Sequence, residues 1–202
     1  MAKAVKEAYA KPVITTGNIR DPKVAEDILE RGDADLIGMG RQMIADPSWT
    51  NKVHYGKEDT IRKCISCNIG CSGHRIGLNR PIRCSVNPSV NEGEEYRSWK
   101  VKKPCNVVVI GGGTAGLEAA CTAAEVGCTT FLIEKEDHLG GLSVEISKIP
   151  DKKRLRDFPD YLIHRAEKLR NLITFTSTEA TPSFVKTVSY THLRAHETCA
   201  DL

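Results

Sequence analysis

A β-forming run, CNVVVI at Cys105–Ile110, passes directly into GGGTAG and then into LEAACTAAEVG. No other feature constrains the fold as much, because glycines at 111, 113 and 116 turn a strand straight into a helix. Gly111 permits a tight turn, Gly113 lets backbone approach a pyrophosphate, and Gly116 lets helix and strand pack closely. The helix ends at Gly127, and TTFLIE supplies a second strand that finishes on Glu134. A carboxylate about twenty residues beyond the glycines is placed to accept hydrogen bonds from a ribose. The helix start offers unpaired N–H groups and a positive dipole end to phosphates. The segment reads as the first βαβ unit of a dinucleotide-binding domain, and spacing alone does not separate FAD from NAD. Further on, Leu155, Phe158, Leu162, Ala166 and Leu169 share a helical face within 152–171, with a kink or break expected at Pro159. Leu172–Thr176 is the next expected strand, and beyond Thr181–Pro182 the helix–strand alternation is expected to stop.

Four of the eight cysteines, Cys64, Cys67, Cys71 and Cys84, follow the pattern C-x2-C-x3-C-x12-C. Four thiolates suit a tetrahedral zinc or an iron–sulfur cluster. Zinc sites of this kind usually show two paired CxxC knuckles, whereas three close ligands and one remote one are more typical of a cluster. Small residues between the ligands (Ser66, Gly70, Ser72, Gly73) let backbone wrap a bulky group. Cys105, Cys121 and Cys128 lie in the α/β unit and are expected to pack as small apolar residues.

Upstream, residues 1–55 alternate helix and strand. Ala4, Val5 and Ala8 form a helical stripe, and Pro12–Thr16 is a short strand stopping at Gly17. Asp21–Pro22 starts a helix whose apolar face is Val24, Ala25, Ile28 and Leu29, with Gly32 as its C-terminal glycine. A second strand, Asp35–Gly38, ends at Gly40–Arg41. This is the grammar of a parallel barrel, of which two strands are only a part. Gly17–Asn18 and Gly40–Arg41 sit at the strand ends that carry active sites in such barrels; taken by themselves they read as an ordinary pair of turns with a surface arginine.

The net charge of +3 is too small and too evenly mixed to point to nucleic acid. No apolar run approaches the ~20 residues of a membrane span, and no apolar signal-peptide core follows Met1. A cytoplasmic location is therefore expected.

Taken in order, ITTGNIRDPKVAEDILERGDADLIGMGRQMIADP, CISCNIGCSGHRIGLNRPIRC and VVVIGGGTAGLEAA resemble the multidomain NADH:flavin oxidoreductases related to old yellow enzyme. That group includes 2,4-dienoyl-CoA reductases, enoate reductases and trimethylamine dehydrogenase, and the resemblance extends over residues 1–180. It implies an α/β fold: the C-terminal end of an FMN-binding TIM barrel over 1–55, a [4Fe–4S] segment and linker over 56–104, and over 105–187 the start of a Rossmann-like FAD/NAD(P)-binding domain. It makes Gly17, Asn18, Gly40 and Arg41 the FMN phosphate grip, and Cys64, Cys67, Cys71 and Cys84 the cluster ligands. Gly111, Gly113, Thr114, Ala115, Gly116, Glu134, Leu142 and Lys152 fall where the family contacts FAD. Members often carry Gln after the double glycine Gly140–Gly141; with Leu142 there, contact would be through backbone. The implied reaction takes hydride from NAD(P)H to FAD, passes electrons singly through the cluster, and reduces an activated C=C bond, of enoate or 2,4-dienoyl-CoA type, at FMN.

The resemblance also admits an amine dehydrogenase, and a zinc-stabilised nucleotide-binding module without redox activity is the reading from another class. A small-molecule substrate is expected, with no nucleic acid or membrane as partner. No catalytic acid is assigned, His54 and His74 read as surface or packing residues, and the chain by itself is expected to be inactive. From residue 188 the segment VSYTHLRAHETCADL resembles the translation of a sequencing-library adapter, so His192, His196 and Cys199 are assigned no function.

Overall fold

The computed structural model describes residues 1–91 and 99–193. The chain forms two compact units, Met1–Tyr96 and Arg97–Leu202, so all four clustered cysteines belong to the first.

In the first unit, helix α1 (Ala2–Tyr9) leads to strand β1 (Ile14–Thr16), helix α2 (Pro22–Glu30) and strand β2 (Leu36–Gly38). The strands pair in parallel with Ile14 opposite Leu36 and Thr16 opposite Gly38. Asp21 caps α2 as the sequence requires, its carboxylate accepting the Lys23 N–H at 3.1 Å with Pro22 at the first helical position. Gly32 follows the helix at φ +65°, the left-handed conformation that ends it. Two short helices, α3 (Arg41–Ala45) and α4 (Trp49–His54), complete the unit's frame. Ile19, Ala25, Trp49 and Ile61 form its buried core, with Ile28, Ile37, Met39, Met43 and Val53 against them. Trp49 also spends its indole N–H on the Arg20 carbonyl at 3.1 Å, which satisfies the one polar atom it buries.

The second unit is a three-stranded parallel sheet in the order β3–β4–β5: Asn106–Ile110, Thr129–Ile133 and Leu172–Phe175. Helix α5 (Thr114–Glu125) connects β3 to β4. Helices α6 (Leu142–Ser147) and α7 (Asp157–Glu167) lie between β4 and β5, and α8 (Pro182–Leu193) follows. Leu117, Ala120 and Cys121 of α5 pack with Leu132 of β4 and Leu162 and Ala166 of α7. Arg165 of α7 joins the two helices electrically, reaching Glu118 at 2.9 Å and Glu125 at 2.6 Å. Asn171 donates at 2.7 Å to the carbonyls of both Ala124 and Cys128, closing the end of α5 onto the start of β4.

Three expectations need correction. Pro159 neither kinks nor interrupts α7; it lies buried in the helix's first turn, where its missing N–H has no intrahelical partner to lose. The break falls instead at Arg156–Asp157, where a 3-10 segment, Pro150–Arg156, gives way to α7. The alternation does not stop at Thr181–Pro182 either: Thr181 opens α8, its hydroxyl accepting the Phe184 N–H at 3.2 Å. Lastly, Cys105 is exposed, while Cys121 and Cys128 are buried as expected. The tail beyond Leu193 and half of the expected linker, residues 92–98 of 91–104, lie outside the described residues.

Candidate functional site

The four cysteines, spread over 64–84, line a single cavity together with Arg41, Asn68, Gly70 and Arg83. Local backbone explains how. Ser66 and Asn68, on either side of Cys67, take left-handed conformations (φ +57° and +56°), which coil the chain back on itself. A wide π-helical turn, Ile69–Gly77, then carries Cys71. Gly70 lies hard against the irregular segment leading to Cys84: Arg83 N–H donates to its carbonyl at 2.7 Å, and a Cβ on Gly70 would stand 2.5 Å from the Arg83 carbonyl oxygen. Only glycine lets the third and fourth cysteines share one cavity.

Polar donors face the sulfurs. Ser66 N–H points at Cys64 Sγ at 3.4 Å, and Ser85 Oγ lies 3.3 Å from Cys67 Sγ. Burial pushes the Cys84 thiol up, partly countered by the N–H groups of Val86 and Asn87. Such donors are what thiolates or cluster sulfurs need in a partly dry site.

Among the described residues, no three His, Cys, Asp or Glu side chains are close enough to hold one metal ion. A tetrahedral zinc would draw its sulfurs to about 3.8 Å from one another, given a Zn–S distance of about 2.3 Å. A cubane cluster holds each thiolate on a different iron and so spreads its ligands more widely. Four cysteines around one cavity are a donor set that suits an iron–sulfur cluster.

The cysteine segment is built onto the ends of β1 and β2 by residues that sequence reasoning missed. Gln42, buried in α3, bridges its backbone: Nε2 donates to the Arg62 carbonyl at 3.1 Å and Oε1 accepts from Cys64 N–H at 2.9 Å. Asp46, one turn on and also buried, accepts from Arg62 N–H at 2.9 Å and Lys52 Nζ at 2.6 Å. Asn87 donates to the Ile44 carbonyl at 2.9 Å and accepts from Arg62 at 2.8 Å. The available signal was a pair of polar residues at i and i+4, Gln42 within the short helix α3 and Asp46 at its C-terminal cap.

Gly17, Asn18, Gly40 and Arg41 line a second cavity at the same strand ends, with Thr16, Gln42 and Cys64 among its other walls. Arg41 and Cys64 therefore border both cavities. Arg41 reaches Asn68 Oδ1 at 2.7 Å, and Asn18 Oδ1 accepts from Ser66 Oγ at 2.9 Å, so two of the four residues expected at the phosphate, Asn18 and Arg41, are tied to the cysteine loop. His54 is exposed and packs edge-on against Tyr55. His74 lies within the π-helical turn.

In the second unit, the glycines stand as their spacing requires. Gly111 is at φ +98°, Gly113 precedes α5 as its N-cap, and a Cβ on Gly116 would fall 1.8 Å from the Gly111 carbonyl oxygen. Gly140 and Gly141 pack on this loop: Gly140 N–H donates to the Gly112 carbonyl at 2.8 Å, and Gly140 pairs with Gly113 as an isolated bridge. Glu134 is buried, and its two oxygens accept from Gly112 N–H at 2.5 Å and Glu136 N–H at 2.9 Å. Burial alone would raise its carboxyl; the Glu136, Gly112 and Lys135 N–H groups and the Lys135 charge outweigh that and hold it below the ordinary value. The carboxylate thus ties the end of β4 to the glycine loop. Thr114 is half-buried and Ala115 exposed in the first turn of α5; Leu142, exposed, begins α6, and Lys152 is exposed on the 3-10 segment.

Glu134→Gln is expected to cost about 1–3 kcal/mol, because an amide cannot accept from both N–H groups. The folded carboxyl titrates below 4.5, so its contribution is present above that value and is lost as pH falls through the folded value. Urea unfolding of both forms should differ at neutral pH and converge in acid; equal midpoints at neutral pH would refute this role for Glu134.

Residues 1–60 match the family model described as NADH:flavin oxidoreductase / NADH oxidase family. Residues 106–192 match the model for FAD dependent oxidoreductases. The chain is 46% identical over 165 residues to an NADH oxidase of Thermoanaerobacter brockii, covering 80% of this chain and 25% of that protein. It is 38% identical over 149 residues to a cinnamate reductase of Clostridium sporogenes, covering 74% and 22% respectively. Histamine dehydrogenase from Rhizobium sp. 4-9 superposes with a TM-score of 0.83 at 29% identity, covering 91% of this chain and 27% of that one. The chain thus spans about a quarter of the length of the curated relatives it matches.

Proposed function

We propose that this chain is part of a multidomain NADH:flavin oxidoreductase, the part joining an FMN site to an FAD-binding unit through a four-cysteine iron–sulfur centre. The observation that carries the proposal is the single cavity lined by Cys64, Cys67, Cys71 and Cys84, two of whose walls, Arg41 and Cys64, also border the strand-end cavity. When bound, flavins supply hydride chemistry and the cluster one-electron transfer. The chain's own residues hold and orient. Gly17, Asn18, Gly40 and Arg41 would take the FMN phosphate, with the guanidinium as a cationic fork. The cysteines would ligate iron, and Gln42 fixes the backbone of the first of them. Gly111, Gly113, Thr114, Ala115 and Gly116 would cradle the FAD pyrophosphate, Glu134 would take a ribose hydroxyl, and Leu142 would contribute backbone and Lys152 charge nearby.

The similarity to cinnamate reductase supports NAD(P)H-dependent reduction of an activated C=C bond in a small molecule as the whole protein's reaction. The similarity to histamine dehydrogenase supports a second reading, oxidation of an amine. The cysteine segment supports a reducing, cytoplasmic setting; among the described residues no helix is long and apolar enough to cross a membrane. Purification under nitrogen tests the centre: brown protein with iron and labile sulfide is expected, whereas colourless protein with one zinc refutes it. Assaying the whole protein with an enoate and NADH, and with amines and a dye acceptor, separates the two reactions.

A further inference from the structure

We propose that Cys105 and Cys128 form a reversible dithiol–disulfide site, which staples the chain segment entering the second unit to the turn between α5 and β4. The two Sγ atoms lie 3.7 Å apart. Each cysteine immediately precedes a register pair, Asn106 opposite Thr129, and Thr129 N–H donates to the Cys105 carbonyl at 3.1 Å. The cysteines are therefore neighbours across the starts of adjacent parallel strands. Strand spacing puts their Cα atoms about 4.8 Å apart, inside the range of about 4.4–6.8 Å that a disulfide spans. Closing the bond takes side-chain rotation, not a shift of backbone.

The pair is asymmetric in a useful way. Cys105 is exposed and open to a reagent, while Cys128 is buried behind it. Cys121 is the contrast: it is fully buried in the core, its thiol is pushed up to about 11 by that burial, and its sulfur faces the Leu162 carbonyl at 3.8 Å. Nothing in the flavin or cluster reading uses Cys105 or Cys128.

The oxidant is a low-molecular-weight disulfide. The Cys105 thiol loses its proton, and its sulfur attacks the reagent's S–S bond, expelling one thiolate and leaving a mixed disulfide on Cys105. Cys128, deprotonated in turn, attacks the Cys105 sulfur and expels the second thiolate. Two protein thiols are oxidised, one reagent disulfide is reduced to two thiols, and the two protons end on those thiols. The hydrogen bond that the Cys105 thiol shares with Cys128, together with burial and the neighbouring sulfur, holds Cys105 above the ordinary thiol range, so the first exchange step is slow.

The bond would reinforce contacts already made by the incoming segment. Lys100 Nζ donates to the Glu125 carbonyl at 2.5 Å, and Val101 N–H to the Val126 carbonyl at 2.9 Å. It would form at the strand starts, away from Gly111 and Glu134 at the strand ends, so the nucleotide loop would be untouched. The site is thus a redox-set anchor for the segment, independent of the cofactor assignments.

The test treats the chain with glutathione disulfide, then maps alkylated and cross-linked peptides by mass spectrometry without reductant. The expected result is a peptide pair joined through Cys105 and Cys128, two hydrogens lighter than the reduced pair and reversed by dithiothreitol. Cys128→Ser should stop at glutathionylated Cys105, and Cys105→Ser should leave Cys128 unmodified. Trypsin cleavage after Lys100 and Lys102 should slow in the oxidised wild type and not in either variant. Stable glutathionylation of Cys105 in the wild type, or unmodified Cys105 in folded protein, would overturn the proposal.

Discussion

Replacing Cys84 with serine should cost the chain most of its iron and its brown colour, while replacing Cys105 with serine should cost neither. Under the cluster reading, anaerobic wild-type protein carries about four irons per chain, held by four thiolates. Cys84 is the remote ligand, brought in by the close approach of Gly70 to Arg83. Its sulfur is half-buried, with Val86 and Asn87 N–H groups directed at it. A serine hydroxyl there is a poorer ligand for iron and leaves those donors weakly matched. Metal and labile sulfide should fall together, because a cluster is lost as a unit. The exposed Cys105 lies in the other compact unit and serves as the control for a general effect of removing a thiol. Iron and sulfide unchanged in Cys84→Ser would remove Cys84 from the ligand set. Zinc in place of iron in both proteins would overturn the cluster altogether.

Why the cysteine spacing was legible and its support was not follows from where each kind of information resides. Ligand spacing is local, as are the Asp21–Pro22 helix start and the three glycines after CNVVVI; each is enforced by the backbone within a few residues. The tethers that bring the cysteines onto the strand ends are not local. Gln42 bonds to residues 62 and 64, and Asn87 to residues 44 and 62. Those pairings satisfy buried polar groups at long range and leave no period in the sequence. Pro159 misled for a related reason: proline breaks a helix interior but suits a first turn, and only the position of Asp157 as the helix start decides between them. The helix at Pro182–Leu193 was missed because an uneven apolar pattern hides the Thr181 hydroxyl that caps it. Cys105 was misjudged because exposure just ahead of a strand depends on what covers that edge.

Gly113→Ala and Gly116→Ala, one turn of chain apart, should fail in opposite ways. At Gly116 an added methyl would stand 1.8 Å from the Gly111 carbonyl oxygen and 3.0 Å from its carbon. Neither backbone atom can yield without dragging β3 from α5, so the unit should lose about 3 kcal/mol or more, at the upper end of overpacking costs. Urea unfolding would show this as an early transition, with nucleotide binding lost as a consequence. At Gly113 the same methyl meets nothing within 4 Å, and φ of −70° suits any residue. Stability should stay within about 0.5 kcal/mol of wild type, as for a surface change. The open space beside Gly113 is where a pyrophosphate would approach the start of α5, so FAD affinity should fall by tenfold or more, about 1.4 kcal/mol. The two measurements together separate a loop that merely reverses the chain from one that receives a nucleotide. Gly113→Ala with unchanged stability and unchanged FAD binding would leave the glycines a packing role alone; unchanged stability with lost binding assigns the open face of the loop to the cofactor.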